Sequence, residues 1–84
     1  MYTVDWLPSA EQDLADIWNN ASDRAAVSTA ADMIDASLKQ NPLAVGEARS
    51  GVTRILFYSP LAVLFDVDIP AQKVKVWDIW RWPA

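Results

Sequence analysis

The chain has 84 residues, a net charge of −4 and neither cysteine nor histidine, which excludes disulfide frameworks, thiolate centres and histidine-based metal or acid–base chemistry. Its residues are 52% apolar and include five tryptophans, enough for a packed fold. No apolar run approaches the ~18 residues that span a membrane.

We read residues 1–84 as one domain with a small core. Charge is unevenly spread. Residues 1–42 hold Arg24 and Lys39 against Asp5, Glu11, Asp13, Asp16, Asp23, Asp32 and Asp35, a balance of −5. Residues 43–84 hold Arg49, Arg54, Lys73, Lys75 and Arg81 against Glu47, Asp66, Asp68 and Asp78, a balance of +1. Any anionic partner would therefore have to approach the C-terminal half, and a pI near 4.4 weakens every nucleic-acid reading. The opening "MYTVDWLPSAEQ" lacks the basic-then-apolar pattern of a secretory leader, so a cytoplasmic protein without a membrane partner is expected.

In chain order, "MYTVDWL" alternates Tyr2, Val4 and Trp6 with Thr3, Asp5 and Leu7, the pattern of a short strand that Pro8 stops. Ser9 is placed to cap a helix, with Gln12 three residues on. Ala10, Leu14, Ile17, Trp18 and Ala21 follow at helical spacing, which assigns Trp18, like Trp6, to the core. Ser22 is the expected cap of a second helix, whose stripe is Val27, Ala30, Ala31, Ile34 and Leu38. Its alanines permit close approach in a helical hairpin, and Asn41-Pro42 ends it. "LAVGEARSG" reads as a loop. Three strands follow, "VTRILFY", "LAVLFDVD" and "KVKVWDIWRW", joined by short turns at Ser59-Pro60 and "IPAQ". The order is β-α-α-β-β-β, an α+β fold with helices on one sheet face.

Strict alternation in the last strand sends Val74, Val76, Asp78, Trp80 and Trp82 one way and Lys73, Lys75, Trp77, Ile79 and Arg81 the other. Tryptophan then lies on both faces, one closing the core and the other meeting a partner. Arg54, in an apolar strand, suits bidentate anion binding or a cross-strand pair with Asp66 or Asp68. Arg81, between Trp80 and Trp82, suits an anion or base held between rings, or a solvated terminus. Arg49 reads as an anchor of its loop, held by Glu47 or backbone carbonyls. Asp32 and Asp35 lie one helical turn apart and read as a solvated face. Phosphate loops, metal-ligand clusters and nucleophile–base pairs are missing from the sequence, and no cofactor is expected.

The opening "YTVDWLPSAEQDLADIW", the helical "IDASLKQNP", the segment "GEARSGVTRILFYSPLAVLFDVD" and the closing "VKVWDIWRW" together resemble the RelE/ParE toxin superfamily of bacterial type II toxin–antitoxin systems. The resemblance implies a helical hairpin on an antiparallel sheet and a cognate antitoxin partner. It also implies one of two activities, ribosome-dependent mRNA cleavage or poisoning of DNA gyrase. Arg54 matches the arginine that commonly opens the second strand of the family pattern. Asp66 stands where many relatives carry an arginine of the ribonuclease set, and the basic or tyrosine-bearing tail of the ribonucleases is missing after Trp82. A ribonuclease would have to use Arg54, Arg81 and Tyr58 as its catalytic groups. The expected partner contacts are Trp77, Trp80, Trp82 and Arg49. Gyrase-type inhibition by binding is favoured over the mRNA interferase. The remaining reading is a non-toxic homodimeric interaction protein.

Overall fold

A computed structural model describes residues 1–83. The elements are β1 (Thr3–Trp6), α1 (Pro8–Asn20), α2 (Arg24–Gln40), β2 (Glu47–Ser50), β3 (Thr53–Tyr58), β4 (Leu61–Asp68) and β5 (Lys73–Arg81). They form the expected α+β architecture with a sheet ordered β1-β5-β4-β3-β2. All pairings are antiparallel except β1 with β5. The long connection that this parallel pair requires is the rest of the chain, the α1–α2 hairpin followed by β2, β3 and β4.

The helices begin differently from the sequence expectation. The strand ends before Pro8 as expected, but Ser9 is not the cap: Pro8 is itself the first helical residue, and Leu7 holds the extended cap position without a side-chain bond. Proline suits that place because its missing N–H is one the first turn leaves unbonded. For α2 the cap is Asp23, not Ser22, and its carboxylate makes no cap bond. That carboxylate instead receives both Arg81 nitrogens, at 3.0 and 3.1 Å. Asn41 closes α2 as expected, with its N–H donated to the Ser37 carbonyl.

The core lies between the helices and one face of the sheet. Val27, Ile34 and Leu38 from α2 meet Leu61, Val63, Phe65, Val74 and Val76, all fully buried. Each such side chain stabilises the fold by roughly 1.5–3 kcal/mol relative to exposure. Trp6 packs at the edge of this core, and its indole N–H donates to Asp35 Oδ1 at 3.0 Å. Trp18 does not join it and stays 40% exposed. Ile17 takes the inward direction on that turn, while Trp18, a third of a turn further round, reaches α2, donates to Ser28 Oγ and lies under the Arg24 guanidinium.

Part of "LAVGEARSG" is a strand and not a loop. Residues 47–50 pair with β3 as an exposed edge, with a register shift between Ala48 and Ser50. The sequence masks it because four exposed residues carry no apolar alternation. Gly46 makes the pairing possible. It adopts φ 71°, and a Cβ there would collide with the Ile55 carbonyl oxygen. Gly51 also has positive φ, 57°, but faces open space. We therefore predict that Gly51→Ala costs about 1 kcal/mol from backbone conformation alone, and that Gly46→Ala costs at least twice as much, as measured by urea unfolding. Equal costs would contradict this account of the β2 edge.

Candidate partner-binding face

The face of the sheet away from the helices carries the unusual chemistry, and a single irregularity in β5 creates it. Leu61 to Leu64 pair with Arg81 to Asp78, but Phe65 pairs with Val76, so Trp77 is one residue extra. This β-bulge resets the alternation. Before it, Val74 and Val76 point to the core; after it, Ile79 does, beside Val63. Asp78 and Trp80 consequently join Leu64 and Ala62 on the open face. Trp82 lies there as well, with its ring 4.8 Å from that of Phe57, and its backbone N–H donates to the Pro60 carbonyl. Trp77 donates its indole N–H to Asp66 Oδ1 at 3.1 Å, and Thr53 donates its hydroxyl to the same oxygen at 2.6 Å.

The expected division of the three indoles between interior and surface is thus overturned: none of Trp77, Trp80 and Trp82 enters the helix-covered core. Trp77 and Trp82 remain 36% and 40% exposed. Across the strands they are joined by Ile55, Leu64, Ala62 and Phe57, which share the open face by register. Phe57, Leu64 and Ile55 were not singled out from the sequence. Their alternation in "VTRILFY" and "LAVLFDVD" leaves open which apolar set faces the helices.

The charged candidates lie elsewhere. Arg54 pairs with Phe65 and Tyr58 with Leu61, which places both on the helix side of the sheet. Among the described residues Arg54 has no ion-pair partner, and its guanidinium is turned to backbone carbonyls. Its Nη2 donates to the Val45 and Gly46 carbonyls at 3.3 Å, and its Nε is buried without a partner. The alternative pairing with Asp66 fails because Asp66 projects from the other face. Arg81 is not stacked between its neighbouring tryptophans: with its side chain still 39% exposed, it reaches the hairpin turn and grips Asp23. Its hydrogen bonds hold the Asp23 carboxyl below the usual range, and Asp23 in turn raises Arg81. Tyr58 is 38% exposed at the β3–β4 turn. It lies one strand beyond Leu61 from Arg81, about 10 Å away by strand spacing. Arg54 is four residues further along β3, roughly 13 Å from Tyr58. The three side chains do not converge. Arg49 stands exposed on β2, at its register shift.

Arg54 therefore acts as a clamp on the loop that precedes β2. Arg54→Ala should lower unfolding free energy by roughly 1–3 kcal/mol, since it leaves the Val45 and Gly46 carbonyls without their donor. Arg49→Ala should stay within about 0.5 kcal/mol. Thermal unfolding of both variants checks the contrast, and equal stability would refute the clamp.

No known family's sequence profile matches the chain, and neither does any curated protein. Solved structures do. The toxin–antitoxin complex RelBE2 of Mycobacterium tuberculosis aligns over 99% of this chain and 93% of its own, with a TM-score of 0.79 and 19% identity. The chromosomal ParDE system of P. aeruginosa aligns over 96% of each chain, with a TM-score of 0.74 and 18% identity. The isolated E. coli RelE toxin aligns over 96% of this chain and 84% of its own, with a TM-score of 0.68 and 12% identity. Since RelE matches in isolation, the shared architecture is that of the toxin and not of the antitoxin. The chain has the RelE/ParE toxin fold.

Proposed function

We propose that this protein is the toxin of a type II toxin–antitoxin pair, acting by binding its target in the manner of gyrase-directed members and silenced by a cognate antitoxin. The supporting observation is the division of labour across the sheet. Arg54 and Arg81, two of the three groups available for ribonuclease chemistry, are engaged in holding the loop before β2 and the helical hairpin turn. Asp66 accepts internal hydrogen bonds on the open face, where a cation would be needed to stabilise a phosphorane-like transition state. What remains accessible is an aromatic face built from Trp77, Trp80, Trp82 and Phe57. Exposed aromatic clusters of this kind suit a protein partner, since buried aromatic anchors carry much of the affinity at interfaces. Docking of the antitoxin on this face would block the target by occupying the same rings.

Controlled expression in bacteria tests the activity. The expected result is growth arrest with messenger RNA intact and with plasmid supercoiling altered. Codon-phased cleavage of messenger RNA would overturn the binding mechanism, and undisturbed growth would overturn the toxin reading. Trp80→Ala or Trp82→Ala is expected to weaken the complex with the antitoxin encoded beside it about 30-fold, corresponding to ~2 kcal/mol. Unchanged affinity in calorimetry would remove the sheet face as the docking site.

A further inference from the structure

The tryptophan face has a charge pattern of its own, set by the strand register. Toward the β4–β5 turn, Lys75 stands between Asp66 and Asp5 on the neighbouring strands, and Lys73 stands opposite Asp68. Each lysine of this face thus has a carboxylate across the ladder. The next row is different. It crosses the sheet as Glu47, Ile55, Leu64 and Asp78, from β2 to β5. Its middle is apolar and each end is a carboxylate.

Neither end is neutralised within the fold. Among the described residues Glu47 has no ion pair, even with Arg49 on the same exposed edge strand. Asp78 accepts the N–H of Ile79, its neighbour in the chain, and has no ion pair either. The ladder with β1 ends at Val76, so no strand flanks Asp78 on its outer side. Between the two carboxylates Ile55 is covered, at 5% exposure, while Leu64 is half-buried. Aromatic rings stand on both sides of the row, Trp77 toward Asp66 and Trp80 with Phe57 on the other flank. Three strand spacings separate Glu47 from Asp78, roughly 14 Å.

We infer that this row seats an extended basic segment of a protein partner, with one arginine at Glu47, a second four residues away at Asp78, and an apolar residue midway over Leu64. Four residues of extended chain cover about 13 Å, and alternation keeps positions i, i+2 and i+4 on one face. In a helix the same span separates residues about nine apart, which lie on opposite faces. Arginine suits the ends better than lysine, because a guanidinium meets a carboxylate with two bonds and stacks on an indole at once. The chain already uses such stacking, with Arg24 4.6 Å from the Trp18 ring centroid. Charge excludes the other occupants. Nucleic acid, an acidic segment or a second copy of this chain would bring negative groups against Glu47 and Asp78. A net charge of −4 also steers a basic partner toward the molecule. The inference rests on the reading of the tryptophan face as a docking surface, but not on toxin activity.

Calorimetry on the full chain with synthetic peptides of about ten β-branched residues provides the test. The first peptide carries two arginines four residues apart, and the second carries two glutamates in the same places. The third carries two arginines three apart, which alternation sends to opposite faces. The first should bind roughly tenfold more tightly than the other two, and more weakly as salt rises. Glu47→Gln with Asp78→Asn should lower its affinity roughly tenfold. Both replacements keep the side-chain shape, and the new amide oxygen at position 78 can still accept the Ile79 N–H, so circular dichroism should show the fold retained. Asp13→Asn with Asp32→Asn removes the same charge from the helices and should leave affinity within about twofold. Equal binding of the three peptides, or insensitivity to the Glu47 and Asp78 pair, would overturn the proposal. If Trp80→Ala then still weakens binding, the face stands as a docking surface and only its charge preference falls. If Trp80→Ala is also without effect, both fall.

Discussion

One inserted residue in the last strand governs what this protein presents to its surroundings. With Trp77 bulged out of the β4–β5 ladder, Ile79 continues the buried row begun by Val74 and Val76, and Arg81 comes to the helix side, where it reaches Asp23. A regular strand would have put Trp80 under the helices and Ile79 in solvent, since alternation is strict once register is set. The bulge thus satisfies the core with a β-branched residue of modest volume and expels the indoles. It also supplies the geometry by which a carboxylate at Asp66 gathers Thr53 and Trp77.

The two sides of the sheet consequently differ in kind. The helix side closes the core and carries the structural charges, Arg54 on the loop carbonyls and the Arg81–Asp23 pair. Its outer boundary, between the helices and β1, is acidic. The open side is aromatic and aliphatic through Phe57, Leu64, Trp80 and Trp82. The sequence-level imbalance of charge, strongly negative in residues 1–42, is what makes the helical side acidic. The rest of the chain has its cations spent or near an edge.

Much of the architecture was legible. Hydrophobic periodicity in residues 8–40 and β-branched runs after residue 52 are strong signals, and both helices and the last three strands fall where they indicate. Parallel pairing of β1 with β5 was not visible, because no local pattern encodes a contact across the length of the chain. Helix starts failed for a physical reason: Asp23 has a stronger charged partner in Arg81 than any backbone N–H offers. The bulge did leave a trace. Val74, Val76 and Ile79 are spaced by two and then by three, and a core-facing strand that changes step announces an extra residue. Arg54 and Arg81 illustrate the opposite problem. An arginine fits an anion site or a structural clamp equally well until the carbonyls and carboxylates around it are known.

The claim on which all of this turns is the direction of the side chains after Trp77, and nuclear Overhauser contacts from the Trp80 and Trp82 rings measure it directly. Cross-peaks from Trp80 to the Ala62 methyl and from Trp82 to the Phe57 ring are predicted, with Ile79 methyl contacts to the buried Val63. Cross-peaks from the Trp80 ring to Ile34 or Leu38 of α2 would contradict the bulged register and with it the aromatic face.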